Sequence, residues 1–145
     1  MSDFYNDVIT KDPRFCSLER VADINLLEPS TRQKVLKLMD DAKKIGIELA
    51  VYETYRSQQR QLELFKRGQS KLRTVGGHHY GLACDLFRCT KGDPACYEDY
   101  ILLGQLAQAN GLVWGGDWCG PSARCTFFDP IPMQRYGVAG QLEIV

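Results

Sequence analysis

At 145 residues the chain has room for one domain with a buried core and no need of covalent staples. Lysine plus arginine and aspartate plus glutamate number 18 each, so the formal net charge is zero, which argues against a polyanion binder with its basic excess. No apolar run approaches the roughly 18 residues of a membrane span. The start Met1-Ser2-Asp3-Phe4-Tyr5 lacks a basic stretch followed by an apolar one, so no signal peptide is visible and synthesis in the cytoplasm is expected.

Residues 17–27 read as a short helix or turn leading to Pro29. Ser30 is expected to cap a helix, with Gln33 in the capping-box position, Val35, Leu36, Leu38, Met39 and Ala42 on its apolar face and Gly46 at its end. The alternation over 47–52 predicts a strand, and Ser57 caps a second helix through Gln61, Leu62, Leu64 and Phe65 that Gly68 stops. After a polar loop at 69–77, Gly81 to Phe87 reads as a buried strand. Tyr97 to Asn110 is a helix with Tyr100, Ile101, Leu103, Leu106 and Ala107 inward, closed by Gly111. Leu112 to Trp114 and Thr126 to Phe128 read as strands, the latter extended by Met133 to Tyr136. Helices early and strands late predict an α+β class, helices packed on a small antiparallel sheet, in one domain over 1–145.

Six cysteines divide into two kinds. Cys89 with Cys96, and Cys119 with Cys125, bracket turn-rich loops that could close as disulfides in an oxidising compartment or stay as thiols in the cytoplasm. Cys16 and Cys84 read as small buried hydrophobes. No spacing is C-x-x-C, which argues against a zinc ribbon or redox motif. Trp114, Trp118, Phe127 and Phe128 read as core first and as a peptide or sugar groove second.

The chemistry concentrates at 76–85, which holds both histidines of the chain and ends in a carboxylate. A zinc peptidase site needs neutral imidazole and carboxylate donors around one tetrahedral ion with a position open for water. In an extended segment Ala83 and Asp85 point one way and Cys84 and Leu86 the other. Gly81 would let the backbone turn His78 back beside Asp85. The bland alternative is that both histidines are loop residues and Asp85 pairs with an arginine; spacing alone leaves both open.

His78-x-x-Gly81-x-Ala83-x-Asp85 resembles the first zinc motif of the D-alanyl-D-alanine carboxypeptidase and L-alanyl-D-glutamate endopeptidase family, which includes phage endolysins and vancomycin-resistance dipeptidases. Three more segments resemble that family in order: Tyr55-Arg56-Ser57-x-x-Arg60-Gln61, Trp114-Gly115-Gly116-Asp117-Trp118, and Asp129-Pro130-Ile131-Pro132-Met133-Gln134-Arg135. The resemblance implies His78 and Asp85 as zinc ligands, Arg56 as the arginine that stabilises the oxyanion, and Asp129 as the general base. It implies zinc as cofactor, the peptidoglycan stem peptide as substrate, and action at the cell wall after release or delivery.

Two positions depart from the pattern. Pro132 stands where the third ligand, a histidine, is expected, and Gly76 stands where a serine usually precedes the first ligand. His79, Asp117 and the thiols of Cys84, Cys119 and Cys125 are the conceivable substitutes, with Cys84 on the wrong side of its strand. The expected function is a zinc-dependent stem-peptide hydrolase, impaired if no third donor is found. The alternative is a non-catalytic descendant that binds cell-wall peptide or serves in a phage assembly.

Overall fold

The computed structural model describes residues 3–68, 76–88, 97–114 and 124–129. Helix α1 spans Pro29–Lys44, strand β1 Leu49–Glu53, helix α2 Gln58–Lys66, strand β2 Ala83–Arg88, helix α3 Tyr97–Ala109, strand β3 Val113–Trp114 and strand β4 Arg124–Phe128. The strands form one antiparallel sheet in the order β1-β2-β4-β3. This is the α+β architecture that the order of elements predicts.

Helices α1 and α3 cover one face of the sheet. Val35, Leu38 and Ala42 recur at helical spacing on α1 and meet Cys84, Leu86 and Phe127 from the sheet and Leu103 and Ala107 from α3. Each fully buried Leu of this cluster contributes about 1.5–3 kcal/mol. Trp114 packs partly buried against the same cluster, and Phe128 is buried with Leu82 and Ala83, so the core reading of these aromatics holds. Leu36, expected inward, is 43% exposed. It lies one position from Val35, about 100° around the helix and off the buried stripe.

The cap of α1 also differs from expectation. Glu28, not Ser30, is the N-cap: its carboxylate accepts from the Thr31 amide, and Pro29 takes the first helical position. Proline fits there because its missing N–H is one that the first turn leaves unbonded anyway. Ser57 caps α2 as expected, its hydroxyl accepting from Arg60 N–H. Of residues 17–27 only Ile24–Leu26 forms a 3₁₀ turn, capped by Asp23.

Residues 5–9, for which the sequence predicts no element, form a π-helical turn at Tyr5–Ile9, and the segment that follows wraps the loop after β1 and the start of α2. There Thr54 N–H donates to Val21 O at 2.7 Å, Tyr55 Oη to Phe15 O at 2.6 Å, and Arg60 Nη1 to Leu18 O at 3.2 Å. Cys16 lies in this wrap and is exposed, against the expectation of burial, because the neighbouring aromatic Phe15 takes the inward position. Cys84 is buried as expected. The side chains of the Cys89–Cys96 and Cys119–Cys125 pairs, those of Tyr100 and Ile101, Trp118, and the strand at 133–136 lie outside what is described.

Candidate metallopeptidase site

The face of the sheet opposite α1 and α3 carries a polar cluster. Asp85 projects from the middle of β2, directly across from Thr126 on β4 and from Glu53 on β1. Glu53 reaches this face because the β1–β2 register shifts between Val51 and Glu53. Leu49 and Val51 point to the helices, and strict alternation would send Glu53 after them; the extra residue re-aims it to the polar side.

His78 arrives from the 3₁₀ turn Gly77–Tyr80. Gly81 ends that turn at φ 73°, and a Cβ there would stand 2.6 Å from Leu26 O, so the turn requires glycine. The turn folds the imidazole back over β2, and His78 Nε2 lies 3.1 Å from Asp85 Oδ1. Its Nδ1 lies 2.8 Å from Thr54 O. A carbonyl can only accept, so Nδ1 carries a proton and donates it, and Nε2 is the nitrogen that faces a carboxylate oxygen. Two electron-rich atoms at that distance need a cation between them, either a proton on Nε2 or a metal ion. Donors on one tetrahedral zinc, with bonds near 2.0–2.1 Å, stand about 3.3 Å apart, which the observed separation matches closely. The Nδ1–H bond to a carbonyl is also the usual second partner of a metal-binding histidine.

Arg56 follows β1 by three residues and is 1% exposed. Its Nη2 lies 2.8 Å from Glu53 Oε1 and 3.5 Å from Asp85 Oδ2, and its Nη1 donates to Gln61 Oε1 at 3.0 Å. Arg60 Nε closes the other Glu53 oxygen at 2.6 Å. Burial alone would push the Asp85 carboxyl up. The His78 charge and hydrogen bond, the Arg56 guanidinium and the Thr126 hydroxyl outweigh it and hold the group at about 2. Glu53 follows the same logic: burial pushes up, but the charge and hydrogen bond of Arg56, the charge of His78 and the bond from Arg60 win, so it too stays ionised.

His78, Asp85 and Arg56 therefore come together, and Asp129 does not join them. Asp129 is buried at the end of β4, where its N–H donates to Leu82 O, its Oδ1 lies 2.8 Å from Lys34 Nζ and its Oδ2 accepts from Thr31 Oγ1 at 2.9 Å. Lys34 and Thr31 belong to α1, so this carboxylate turns to the helix side with Phe127.

His79, a conceivable third donor, is engaged elsewhere. Its Nδ1 lies 3.3 Å from Arg56 O and its Nε2 lies 2.7 Å from Tyr5 Oη, and burial disfavours its charged form. Among the described residues no group of three His, Cys, Asp or Glu side chains could hold a metal ion. Asp117, Cys119, Cys125 and Pro132 lie outside the described side chains. Two donors fit a zinc ion in spacing and in hydrogen bonding, and the described residues supply two.

Glu53, Thr54 and Thr126 belong to this site without having been foreseen. A carboxylate closing an otherwise apolar strand, three residues before an arginine, was the available signal for Glu53. Thr54 acts through its backbone carbonyl, which no sequence motif marks.

Residues 24–108, more than half of the chain, match the family described as VanY: D-alanyl-D-alanine carboxypeptidase. That stretch carries Arg56, His78 and Asp85 and stops short of Asp129 and Pro132. The chain is 30% identical over 111 residues to the peptidoglycan L-alanyl-D-glutamate endopeptidase CwlK of Bacillus subtilis strain 168, covering 63% of this chain and 66% of that protein. It is 32% identical over 106 residues to the L-alanyl-D-glutamate peptidase of Listeria phage A118, covering 69% of this chain and 37% of that protein. The chain thus spans just under two thirds of the Bacillus relative and a little over a third of the phage one. Among solved structures, the Serratia marcescens L-Ala D-Glu endopeptidase ChiX shares the fold, with TM-score 0.55 and 20% identity over 77% of this chain and 90% of that chain. With the His78–Asp85–Arg56 cluster in place and the match running over most of the elements that build it, the chain belongs to the VanY D-alanyl-D-alanine carboxypeptidase family.

Proposed function

We propose that this chain is a peptidoglycan stem-peptide hydrolase of the L-alanyl-D-glutamate endopeptidase kind, using a zinc ion held in part by His78 and Asp85. The single observation that carries the reading is the His78–Asp85 pair, 3.1 Å apart, with the Nδ1 proton committed to Thr54 O. The names of the Bacillus and phage relatives support the choice of bond. The substrate lies in the cell wall, so the protein works there after release or delivery. No described helix is long and apolar enough to cross a membrane.

Zinc, when bound, supplies a Lewis acid for the scissile carbonyl and lowers the pKa of water. The chain's own residues do the rest. Thr54 O accepts from His78 Nδ1–H and so keeps Nε2 turned to Asp85 on the side where a metal would bind, and Thr126 Oγ1 donates to Asp85 Oδ1 and fixes that carboxylate. Arg56, oriented by Glu53 and Gln61, holds a cation beside Asp85, where oxyanion charge would develop; a donor of that kind is worth about 3–4 kcal/mol. Asp129, implied as the base by resemblance, has its oxygens engaged by Lys34 and Thr31, and the reading assigns it no proton transfer in this conformation. A third protein donor, which catalytic zinc sites normally use, has to come from outside the described residues.

A second reading, a stem-peptide binder without turnover, is favoured by Pro132 in the third-ligand position. One experiment separates the two. The purified chain, supplied with zinc, is incubated with a muropeptide containing the L-Ala–D-Glu bond, and the products are weighed by mass spectrometry. Cleavage at that bond, stopped by a chelator and restored by zinc, supports the hydrolase. Muropeptide binding without cleavage at any zinc concentration leaves the binder.

A further inference from the structure

We infer that His79 is a positioning residue for the candidate site, held in place by Tyr5 of the N-terminal arm. The arm lies outside the matched stretch, which begins at residue 24. His79 is 6% exposed and sits among the rings of Tyr5, Phe15, Tyr55 and Tyr80, with centroids 5.2–5.7 Å from its own. Such a cage could be packing alone. The hydrogen bonds say more.

Arg56 O can only accept, so His79 Nδ1 carries the proton and donates across 3.3 Å. His79 Nε2 is then an acceptor, and Tyr5 Oη donates to it across 2.7 Å. On the same residue, Arg56 N–H donates to His78 O at 3.2 Å. Both faces of the Arg56 backbone are thereby tied to the His78-His79 dipeptide, one through a main-chain bond and one through an imidazole whose far nitrogen Tyr5 anchors. The loop bearing the guanidinium and the turn bearing the metal-facing imidazole are locked in register. Two further arm bonds, Tyr55 Oη to Phe15 O and Ser57 Oγ to Ser17 O, brace the residues on either side of Arg56.

The consequence for metal binding rests on the reading of His78 and Asp85 as donors; the coupling of His79 to His78 does not. The chain has only two histidines, so ring ¹⁵N spectra of histidine-labelled protein contain two rings and His79→Phe leaves His78 alone. Tyr5→Phe keeps the aromatic cage and removes only the hydroxyl. His79→Phe keeps the packing and removes both hydrogen bonds. His79→Asn loses the ring but places an amide donor near the Nδ1 position.

In Tyr5→Phe and His79→Phe the His78 ring nitrogens should move away from the pattern of a fixed Nδ1–H tautomer, and His79→Asn should return them toward it. His78 signals at their wild-type positions in both phenylalanine variants overturn the inference, and so does a His79→Asn variant that does no better than His79→Phe. Cobalt(II) titration of the same proteins should show affinity falling about tenfold in Tyr5→Phe, the lower end of the range for outer partners of metal ligands. Wild-type protein that takes up no cobalt sinks the metal reading and leaves the His78 resonances to decide the positioning role.

Discussion

Lys34, in the second turn of α1, closes on Asp129 at the end of β4 with Nζ 2.8 Å from Oδ1, while Thr31 Oγ1 donates to Oδ2 across 2.9 Å. The carboxylate is fully buried and the lysine side chain is 27% exposed, so the pair is a strut between helix and sheet with one end near water. Asp129→Asn removes the charge that Lys34 neutralises and should destabilise the fold by about 2–3 kcal/mol in chemical denaturation. Lys34→Met, which strands the carboxylate, should cost at least as much. A group serving only as a catalytic base would leave stability within about 0.5 kcal/mol on the same substitution, so an unchanged denaturation midpoint in Asp129→Asn would count against the strut.

The acid limb of the stability curve should belong to the polar face of the sheet. Asp85 has its folded value at about 2 against an ordinary 3.8, and Glu53 is also held below its ordinary 4.5. A carboxyl lowered in the folded state adds stability that is fully present above its unfolded value and is lost as pH falls through the folded one. Stability should therefore hold above about pH 5 and fall between about pH 4 and 2, with Asp85 accounting for about 2 kcal/mol. Asp85→Asn should flatten that limb in urea melts taken at successive pH values. A limb as steep as wild type would mean that other carboxylates carry the loss.

Much of the site was legible because it rests on short local rules. The glycine at 81 marks the turn that returns His78 to Asp85, and period-two alternation sends Cys84 into the core and Asp85 out of it. Glu53 was hidden because the same alternation, applied to β1, points it at the helices; the bulge that reverses it is a property of pairing with β2, not of β1 alone. The cap of α1 escaped for a similar reason, since Ser30 fits a capping motif but Pro29 pre-empts it by fixing where the helix begins. The N-terminal wrap has no periodicity to read: its bonds run from backbone carbonyls to Tyr55, Ser57 and Arg60, forty or so residues away.

Glycine is favoured over alanine at two positions for different reasons. At Gly81 an alanine would face both a left-handed backbone and a main-chain oxygen 2.6 Å from its methyl group, and neither can yield cheaply. Gly81→Ala should cost about 3 kcal/mol or more and displace His78, visible as lost thermal stability together with lost metal uptake. At Gly104 the obstacle is Trp114, whose Cε3 would lie 2.7 Å from the new carbon. Alanine gains about 1 kcal/mol of helix propensity there, while overpacking costs about 1–3 kcal/mol. Gly104→Ala should come out destabilised by about 1 kcal/mol in denaturant, with an altered Trp114 fluorescence spectrum; a stabilised variant would show that the indole has room to move.

Pro132 offers the most direct test of the alignment on which the zinc reading depends. Proline has no side-chain donor, and the family pattern asks for an imidazole at this position. If the alignment is right, Pro132→His adds a third nitrogen or oxygen donor to His78 and Asp85, and zinc affinity should rise on the order of a hundredfold or more. The metal-free variant should lose up to about 1 kcal/mol, since releasing a proline loosens the unfolded chain. Excess zinc should then more than restore stability, because a ligand that binds only the folded state stabilises it by an amount that grows with the logarithm of its concentration over its Kd. Competition against a chromophoric chelator gives the affinity, and melting with and without zinc gives the linkage. An unchanged affinity would mean that residue 132 does not face the His78–Asp85 pair and that the chain closes its site, if at all, with a different donor.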